Sequence, residues 1–231
     1  METVLLYAHQ LALGALMTVR LALGALCLGL VLGLIGATAK LSRDPVARAM
    51  ANVYTGIVRG IPELLVVLII YYGSSGALTA VAATLGSDAY VELSPYAAGV
   101  IALGFMFGAY ATEVFRGAII AIPRGQIEAA RAIGMGGFLT FRRITLPQVW
   151  RVALPGLGNL FLVLMKDTAL VSVIGLNEIL RVAGVAAQAT KNTTAFYLVA
   201  AVLYLALTVV TMRGQHSIEA WAAKGLPKAG R

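Results

Sequence analysis

The chain alternates between long apolar stretches and short groups of charged residues, and this pattern predicts membrane-spanning helices. A helix needs about 20 apolar residues, at a rise of about 1.5 Å each, to cross the hydrocarbon core of a bilayer. We expect five spans. In chain order they fall within residues 21–39, within residues 64–72, between Glu92 and Glu113, within residues 152–176, and between Lys191 and Arg213.

Short polar and glycine-rich signals refine these spans. Ser94 followed by Pro95 is typical of a helix N-cap and first helical position, so the third span is expected to begin there. Pro147 and Pro155 are expected to bracket the start of the fourth span, which Lys166-Asp167 interrupts near its middle. Small residues allow close approach of helices in membranes, and we expect this role for the glycines of the first span. They are Gly14, Gly24, Gly29, Gly33 and Gly36.

Composition supports an all-α integral membrane protein, which we interpret as one domain over residues 1–231. Hydrophobic residues make up 60% of the 231 positions and charged residues 12%, whereas soluble domains average about 45–50% and about 25%. A disulfide scaffold is excluded because Cys27 is the only cysteine. The first apolar stretch is not expected to be a signal peptide, since residues 1–19 contain no lysine or arginine.

The positive charges predict the orientation of the chain, because lysine and arginine accumulate on the cytoplasmic side of membrane proteins. With a periplasmic amino terminus and a cytoplasmic carboxyl terminus, 14 basic residues are cytoplasmic and 3 are periplasmic. The net charge of +8 is then a topology signal, and no nucleic-acid partner is expected. The cytoplasmic set is Lys40, Arg43, Arg48, Arg59, Arg116, Arg124, Arg131, Arg142, Arg143, Arg151, Arg213, Lys224, Lys228 and Arg231, and the periplasmic set is Arg20, Arg181 and Lys191.

The sequence offers no catalytic or metal-binding pattern. His9 and His216 are the only histidines, and no group of His, Cys and carboxylate residues has metal-ligand spacing. The Gly-x4-Gly-Lys-Ser/Thr phosphate loop is also missing from the sequence. We therefore expect the chain to be no enzyme and to bind neither a metal nor ATP itself.

The longest connection within the predicted inner face, residues 121–147, is expected to form a compact helix–turn–helix, which we call the coupling loop. Residues 126–133 are good helix formers, and Gly134 is expected to stop this helix. Gly136 and Gly137 predict a turn, and residues 138–144 predict a second short amphipathic helix. On residues alone, an ordinary amphipathic helix at the membrane surface remains an alternative for this loop.

The coupling loop resembles the EAA signature of ABC importer permeases. The matching positions are Glu128-Ala129-Ala130, Gly134, Ile144 and Leu146-Pro147, with the family's spacing. Arg59-Gly60-Ile61-Pro62-Glu63 and the segment from Leu164 to Ser172 further resemble the polar amino-acid branch, of the histidine/lysine/arginine/ornithine type. The resemblance runs from about residue 14 to about residue 211.

This resemblance implies a type I ABC importer permease in the bacterial inner membrane. The implied partners are a second permease subunit, two cytoplasmic ATPase subunits that bind ATP and Mg, and a periplasmic amino-acid-binding protein. Glu128, Ala129, Ala130 and Gly134 would dock on the ATPase, whose movement would drive alternating access of the spans. The sequence leaves open whether the two permease subunits are identical.

The expected substrate is a polar, basic amino acid, because carboxylates within membrane spans are costly and are retained for function. Glu63 and Asp167 are the candidate ligands, and the motifs that contain them add Arg59 and Thr168 as substrate-binding candidates. The alternatives are structural roles. The dipole of its own helix would stabilise the Glu63 carboxylate, and Lys166 and Asp167 would form ion pairs with neighbouring helices. Glu113 is expected to pair with Arg116.

A second function hypothesis remains open from the sequence. An ion- or proton-driven carrier, acting without an ATPase, would also need several spans and a few intramembrane charges. The sequence does not favour a third hypothesis, a membrane enzyme, because no nucleophile and base occur in a recognisable arrangement.

Overall fold

The computed structural model of the chain describes residues 5–85 and 92–222, without the side chains of residues 81 and 82. In these residues the regular structure is entirely helical. The α-helices are α1 (Ala8–Lys40), α2 (Pro45–Gly60), α3 (Glu63–Thr84), α4 (Pro95–Ile120), α5 (Arg124–Ala132), α6 (Gly137–Thr140), α7 (Leu146–Asp167), α8 (Ile179–Thr190) and α9 (Thr193–Ala222). A π-helical turn, Phe141–Thr145, connects α6 to α7, and a 3₁₀ helix, Thr168–Ile174, follows α7.

Five of these elements are long and apolar enough to cross a membrane, which confirms the predicted number of spans. They are α1, α3, α4, the stretch from α6 through the 3₁₀ helix, and α9. The third span begins as predicted: the Ser94 side chain accepts a hydrogen bond from the backbone N–H of Ala97, and Pro95 is the first helical residue. The helices extend beyond the predicted windows: α1 already begins at Ala8, and α3 continues to Thr84.

The fourth span departs from the prediction in two ways. Pro155 does not bracket its start but lies inside α7, and Pro147 alone marks the beginning of that helix. Lys166 and Asp167 do not interrupt a regular helix: α7 ends at Asp167, and the chain tightens into the 3₁₀ helix. The change of helix type therefore coincides with the charged pair. The 3₁₀ helix ends at Gly175, whose φ of 94° lies in the left-handed region that favours glycine.

Two helices between the spans are not expected from hydrophobicity alone. Helix α2 begins at Pro45, where the Asp44 side chain accepts a hydrogen bond from the Val46 N–H. Its Tyr54 hydroxyl donates a 2.7 Å hydrogen bond to the Phe105 carbonyl in the middle of α4. Helix α2 thus packs alongside the third span. Helix α8 lies between the fourth and fifth spans.

Helices α1 and α4 form the centre of the molecule and run parallel. Gly29 faces Gly104 and Phe107, and Gly33 faces Ala111, so the contacts advance in the same direction along both helices. A Cβ added at Gly33 would lie 2.6 Å from the Ala111 Cβ, closer than side chains tolerate. The glycines at this contact therefore have the packing role that the sequence indicates.

The basic residues at the carboxyl terminus that enter the orientation count lie outside the described residues. They are Lys224, Lys228 and Arg231. The orientation of the chain in the membrane stays a prediction from charge.

Candidate functional site

A cavity of about 210 Å³ brings together the two intramembrane carboxylates that the sequence singles out. Glu63 comes from the first turn of α3, and Asp167 is the last residue of α7. The two carboxyl groups are close enough to interact electrostatically. The remaining lining is apolar or aromatic: Leu103, Met106, Phe107, Tyr110, Leu160, Val163 and Leu164. An apolar cavity with two acidic groups suits a ligand that carries positive charge.

Arg59 does not line this cavity. It lies in a second, more polar recess of about 520 Å³, whose walls come from α1, α2 and α4. The Arg59 guanidinium carbon is 5.3 Å from the centroid of the Tyr110 ring, a cation–π contact. The recess is lined by Lys40, Asn52, Thr55, Gly56, Arg59, Gly60, Tyr110 and Glu113.

An ion-paired group stabilises the wall of this polar recess. Glu113 accepts a 2.8 Å hydrogen bond from Arg116, which confirms the predicted pair. It also accepts a 2.5 Å bond from Lys40, the last residue of α1. The Lys40 contact joins the ends of the first and third spans, and sequence spacing gives no direct sign of it because the two residues are 73 positions apart.

Thr168 is buried and faces away from the acidic cavity. Its hydroxyl donates to the Met165 carbonyl at 2.8 Å and interacts with Tyr204 of α9. Tyr204 in turn donates to Glu178, a fully buried residue. The structure thus separates Thr168 from Glu63 and Asp167, although it follows Asp167 directly.

Lys166 is exposed on the surface of the chain within the fourth span, and no ion pair of this residue occurs among residues 5–85 and 92–222. Asn159, two helical turns earlier on the same face of α7, is also exposed. The predicted pairing of Lys166 with a neighbouring helix is therefore not made within this part of the chain.

The coupling loop has the predicted helix–turn–helix order, but its second part differs from the prediction: Gly137 does not belong to the turn and already begins α6, and residues 141–145 form a π-helical turn. Helix α5 ends at Ala132, and Gly134 has a φ of 83°. The Gly134 N–H donates to the Arg131 carbonyl and the Met135 N–H to the Ala130 carbonyl. These two bonds form a Schellman motif, in which a left-handed glycine ends a helix.

The surface of the coupling loop is only partly the one expected. Glu128, Ala129 and Gly134 are exposed, whereas the Ala130 side chain is buried. Two large apolar side chains are highly exposed at the tip, Ile133 at 79% and Phe138 at 77%. This pair is not among the residues predicted from the sequence, although two apolar residues beside the glycines of a polar loop are a usable signal.

An acidic cavity between membrane spans and an exposed helical loop beside the spans are features expected of a membrane transport protein. Residues 29–224 match the family described as "Binding-protein-dependent transport system inner membrane component". The chain belongs to this family and is a multi-spanning permease of the inner membrane. This finding confirms the resemblance on which the sequence interpretation rests.

The chain is similar over almost its whole length to curated members of this group. It is 44% identical over 221 residues to the nopaline transport system permease protein NocQ of Agrobacterium fabrum (strain C58), covering 95% of this chain and 94% of the relative. It is 44% identical over 198 residues to the histidine/lysine/arginine/ornithine transport system permease protein HisQ of Salmonella typhimurium, covering 86% of each.

A solved structure supports the same architecture. The crystal structure of an amino acid ABC transporter with histidines has a chain that is 31% identical, with a TM-score of 0.79. The match covers 94% of this chain and 96% of that one. The predicted type I importer permease fold is thereby confirmed.

Proposed function

We propose that this chain is the permease subunit of an ATP-driven importer of basic amino acids. The observation that carries the substrate class is the cavity in which Glu63 and Asp167 lie together. A lysine or arginine side chain is positively charged at neutral pH, and in a water-poor cavity it needs carboxylate partners. The names of the curated relatives, which include histidine/lysine/arginine/ornithine and nopaline transport, support this class.

The partners follow from the same proposal. Two ATPase subunits bind ATP and Mg and contact the coupling loop, where Glu128, Ala129 and Gly134 are exposed. A second permease subunit completes the pathway, and a periplasmic binding protein delivers the substrate. Within the loop, Ala130 supports the docking surface from below, because its side chain is buried.

Reconstitution in liposomes tests the proposal. The chain is assembled with its second permease subunit, the ATPase and the binding protein, and uptake of arginine and of glutamine is measured with and without ATP. We expect uptake only with ATP and with the ATPase present. Uptake by the permease subunits alone, driven by an ion gradient, would support the ion- or proton-driven carrier instead.

The same liposomes test whether the carboxylates of Glu63 and Asp167 bind the substrate. Glu63→Gln or Asp167→Asn removes one charge-assisted hydrogen bond, worth about 1.5–3 kcal/mol. The concentration for half-maximal arginine uptake should therefore rise roughly 10-fold to 150-fold, and that for glutamine much less. Asp44→Asn is the matched control, since Asp44 lies outside the cavity and asparagine also caps helices well. Equal effects on both substrates would remove the basis for a basic amino acid.

A further inference from the structure

Tyr110 lies between the two recesses described above. Its side chain lines both the acidic cavity with Glu63 and Asp167 and the polar recess with Arg59 and Lys40. The Arg59 guanidinium covers the face of the ring at 5.3 Å. Tyr110 and Arg59 therefore stand where the acidic cavity and the polar recess adjoin.

The polar recess lies on the coupling-loop side of the acidic cavity. Lys40 is the last residue of α1, and Glu113 lies in the last third of α4, which leads directly into the coupling loop. Tyr110 is three residues before Glu113, so it lies about one helical turn deeper along the third span. A solute that moves from the acidic cavity into the polar recess thus passes beside Tyr110 and Arg59.

Two properties of the pair oppose passage along this route. The aromatic ring is a steric obstacle, and the guanidinium places a positive charge that repels a basic amino acid. Arg59 and Glu63 are also joined by a break between α2 and α3, where Ile61 is extended with φ of −102° and ψ of 138°. A change of angle at this break would move Arg59 relative to Tyr110 without unfolding either helix.

We propose that Tyr110 and Arg59 form the barrier that closes the substrate cavity toward the coupling loop. Arg59 is then a residue that closes the pathway and not a ligand of the substrate. This inference rests on the proposed transport function. The steric obstacle of the Tyr110 ring applies to any solute, whereas the repulsion by Arg59 applies to a basic amino acid.

Cysteine accessibility tests the barrier in the complete transporter. Cys27→Ser removes the only native cysteine. Leu160→Cys then places a thiol in the wall of the acidic cavity, and Gly56→Cys places one in the polar recess, where an added Cβ meets no atom within 4 Å. A membrane-impermeant thiol reagent is added to vesicles that expose the coupling-loop face, and the modification rate is measured.

We expect rapid modification at position 56 and slow modification at position 160. Tyr110→Ala and Arg59→Gln should each accelerate modification at position 160 about fivefold, the change that corresponds to about 1 kcal/mol of lost cation–π attraction. Tyr110→Phe should leave the rate unchanged, because it keeps the ring. Position 56 should remain rapidly modified in every variant, which shows that the chain is folded and exposed to the reagent.

Other results would overturn the inference. Unchanged rates at position 160 in both Tyr110→Ala and Arg59→Gln would place the barrier elsewhere. Equal acceleration by Tyr110→Phe and Tyr110→Ala would assign the effect to the hydroxyl instead of the ring. Slow modification at position 56 would show that the polar recess is closed to that face. None of these readings uses transport, so they are independent of the amide variants of Glu63 and Asp167.

Discussion

Glu178 is completely buried, and each of its carboxyl oxygens has a hydrogen-bond donor. The backbone N–H groups of Leu180 and Arg181 donate to the side chain at 2.9 and 2.8 Å, so Glu178 caps the first turn of α8. The Tyr204 hydroxyl donates at 2.5 Å from α9. Glu178 thereby joins α8 to the fifth span, next to the 3₁₀ helix that begins after Asp167.

Removing the Tyr204 hydroxyl should destabilise this junction. Tyr204→Phe removes one of the two donors to the Glu178 Oε2, and losing such a hydrogen bond costs about 0.5–3 kcal/mol. We expect a lower thermal unfolding midpoint of the purified transporter in detergent. Tyr197→Phe, at an exposed position of the same helix, is the matched control and should change the midpoint little. A Tyr204→Phe protein as stable as the control would contradict a structural role of the bond.

Residues differ in how far sequence alone reveals their role. Glu63 and Asp167 stand out in the sequence because a carboxylate inside an apolar stretch is costly in the membrane; that they line one cavity is seen only in the structure. Tyr110 does not stand out, since tyrosine is common in membrane helices and its position depends on how α2 folds back beside α4. Thr168 follows Asp167 in the sequence but faces Tyr204, because successive residues of a tight helix point in different directions.

At the scale of elements, the sequence is sufficient to predict the end of a helix where capping residues determine it. The beginning of α4 at Ser94-Pro95 and the end of α5 before Gly134 depend on neighbouring residues only. Helix α2 escapes hydrophobicity analysis because Arg48, Asn52 and Arg59 divide its apolar positions. The change from α7 to the 3₁₀ helix also escapes it, since the change depends on packing against other helices.

The glycine that ends α5 provides a test of the coupling loop. Gly134→Ala places a Cβ on a residue with positive φ, which costs about 1–2 kcal/mol and disturbs the Schellman motif. Gly136→Ala is the matched control, since Gly136 has an ordinary φ of −64° and an added Cβ meets no atom within 4 Å. We expect reduced ATPase binding and transport for Gly134→Ala, with normal membrane insertion, as measured by co-purification and uptake. Full transport by Gly134→Ala, or an equal loss in both variants, would count against the coupling role.

At the scale of the whole molecule, the parallel arrangement of α1 and α4 gathers positive charge at one face. Both helices end at the coupling-loop face, where Lys40 contacts Glu113 beside Arg116. The coupling loop adds further arginines to the same face. The opposite face has few basic residues, so the helix packing concentrates the charge asymmetry that is spread along the sequence.

This asymmetry predicts a cytoplasmic coupling loop and a periplasmic connection between α8 and α9. In a chain without Cys27, Gly125→Cys labels the coupling loop and Asn192→Cys labels the α8–α9 connection; both positions are exposed and uncharged, so the charge distribution is unchanged. An impermeant maleimide added to cells with a permeabilised outer membrane should modify position 192 and leave position 125 unmodified. Inverted inner-membrane vesicles should give the reverse pattern.

The physical reason is that translocating a segment rich in lysine and arginine is strongly disfavoured, so the more basic face remains in the cytoplasm. Modification of position 125 from outside the cell would show that charge does not set the topology of this protein, and it would place the coupling loop where no cytoplasmic ATPase can reach it.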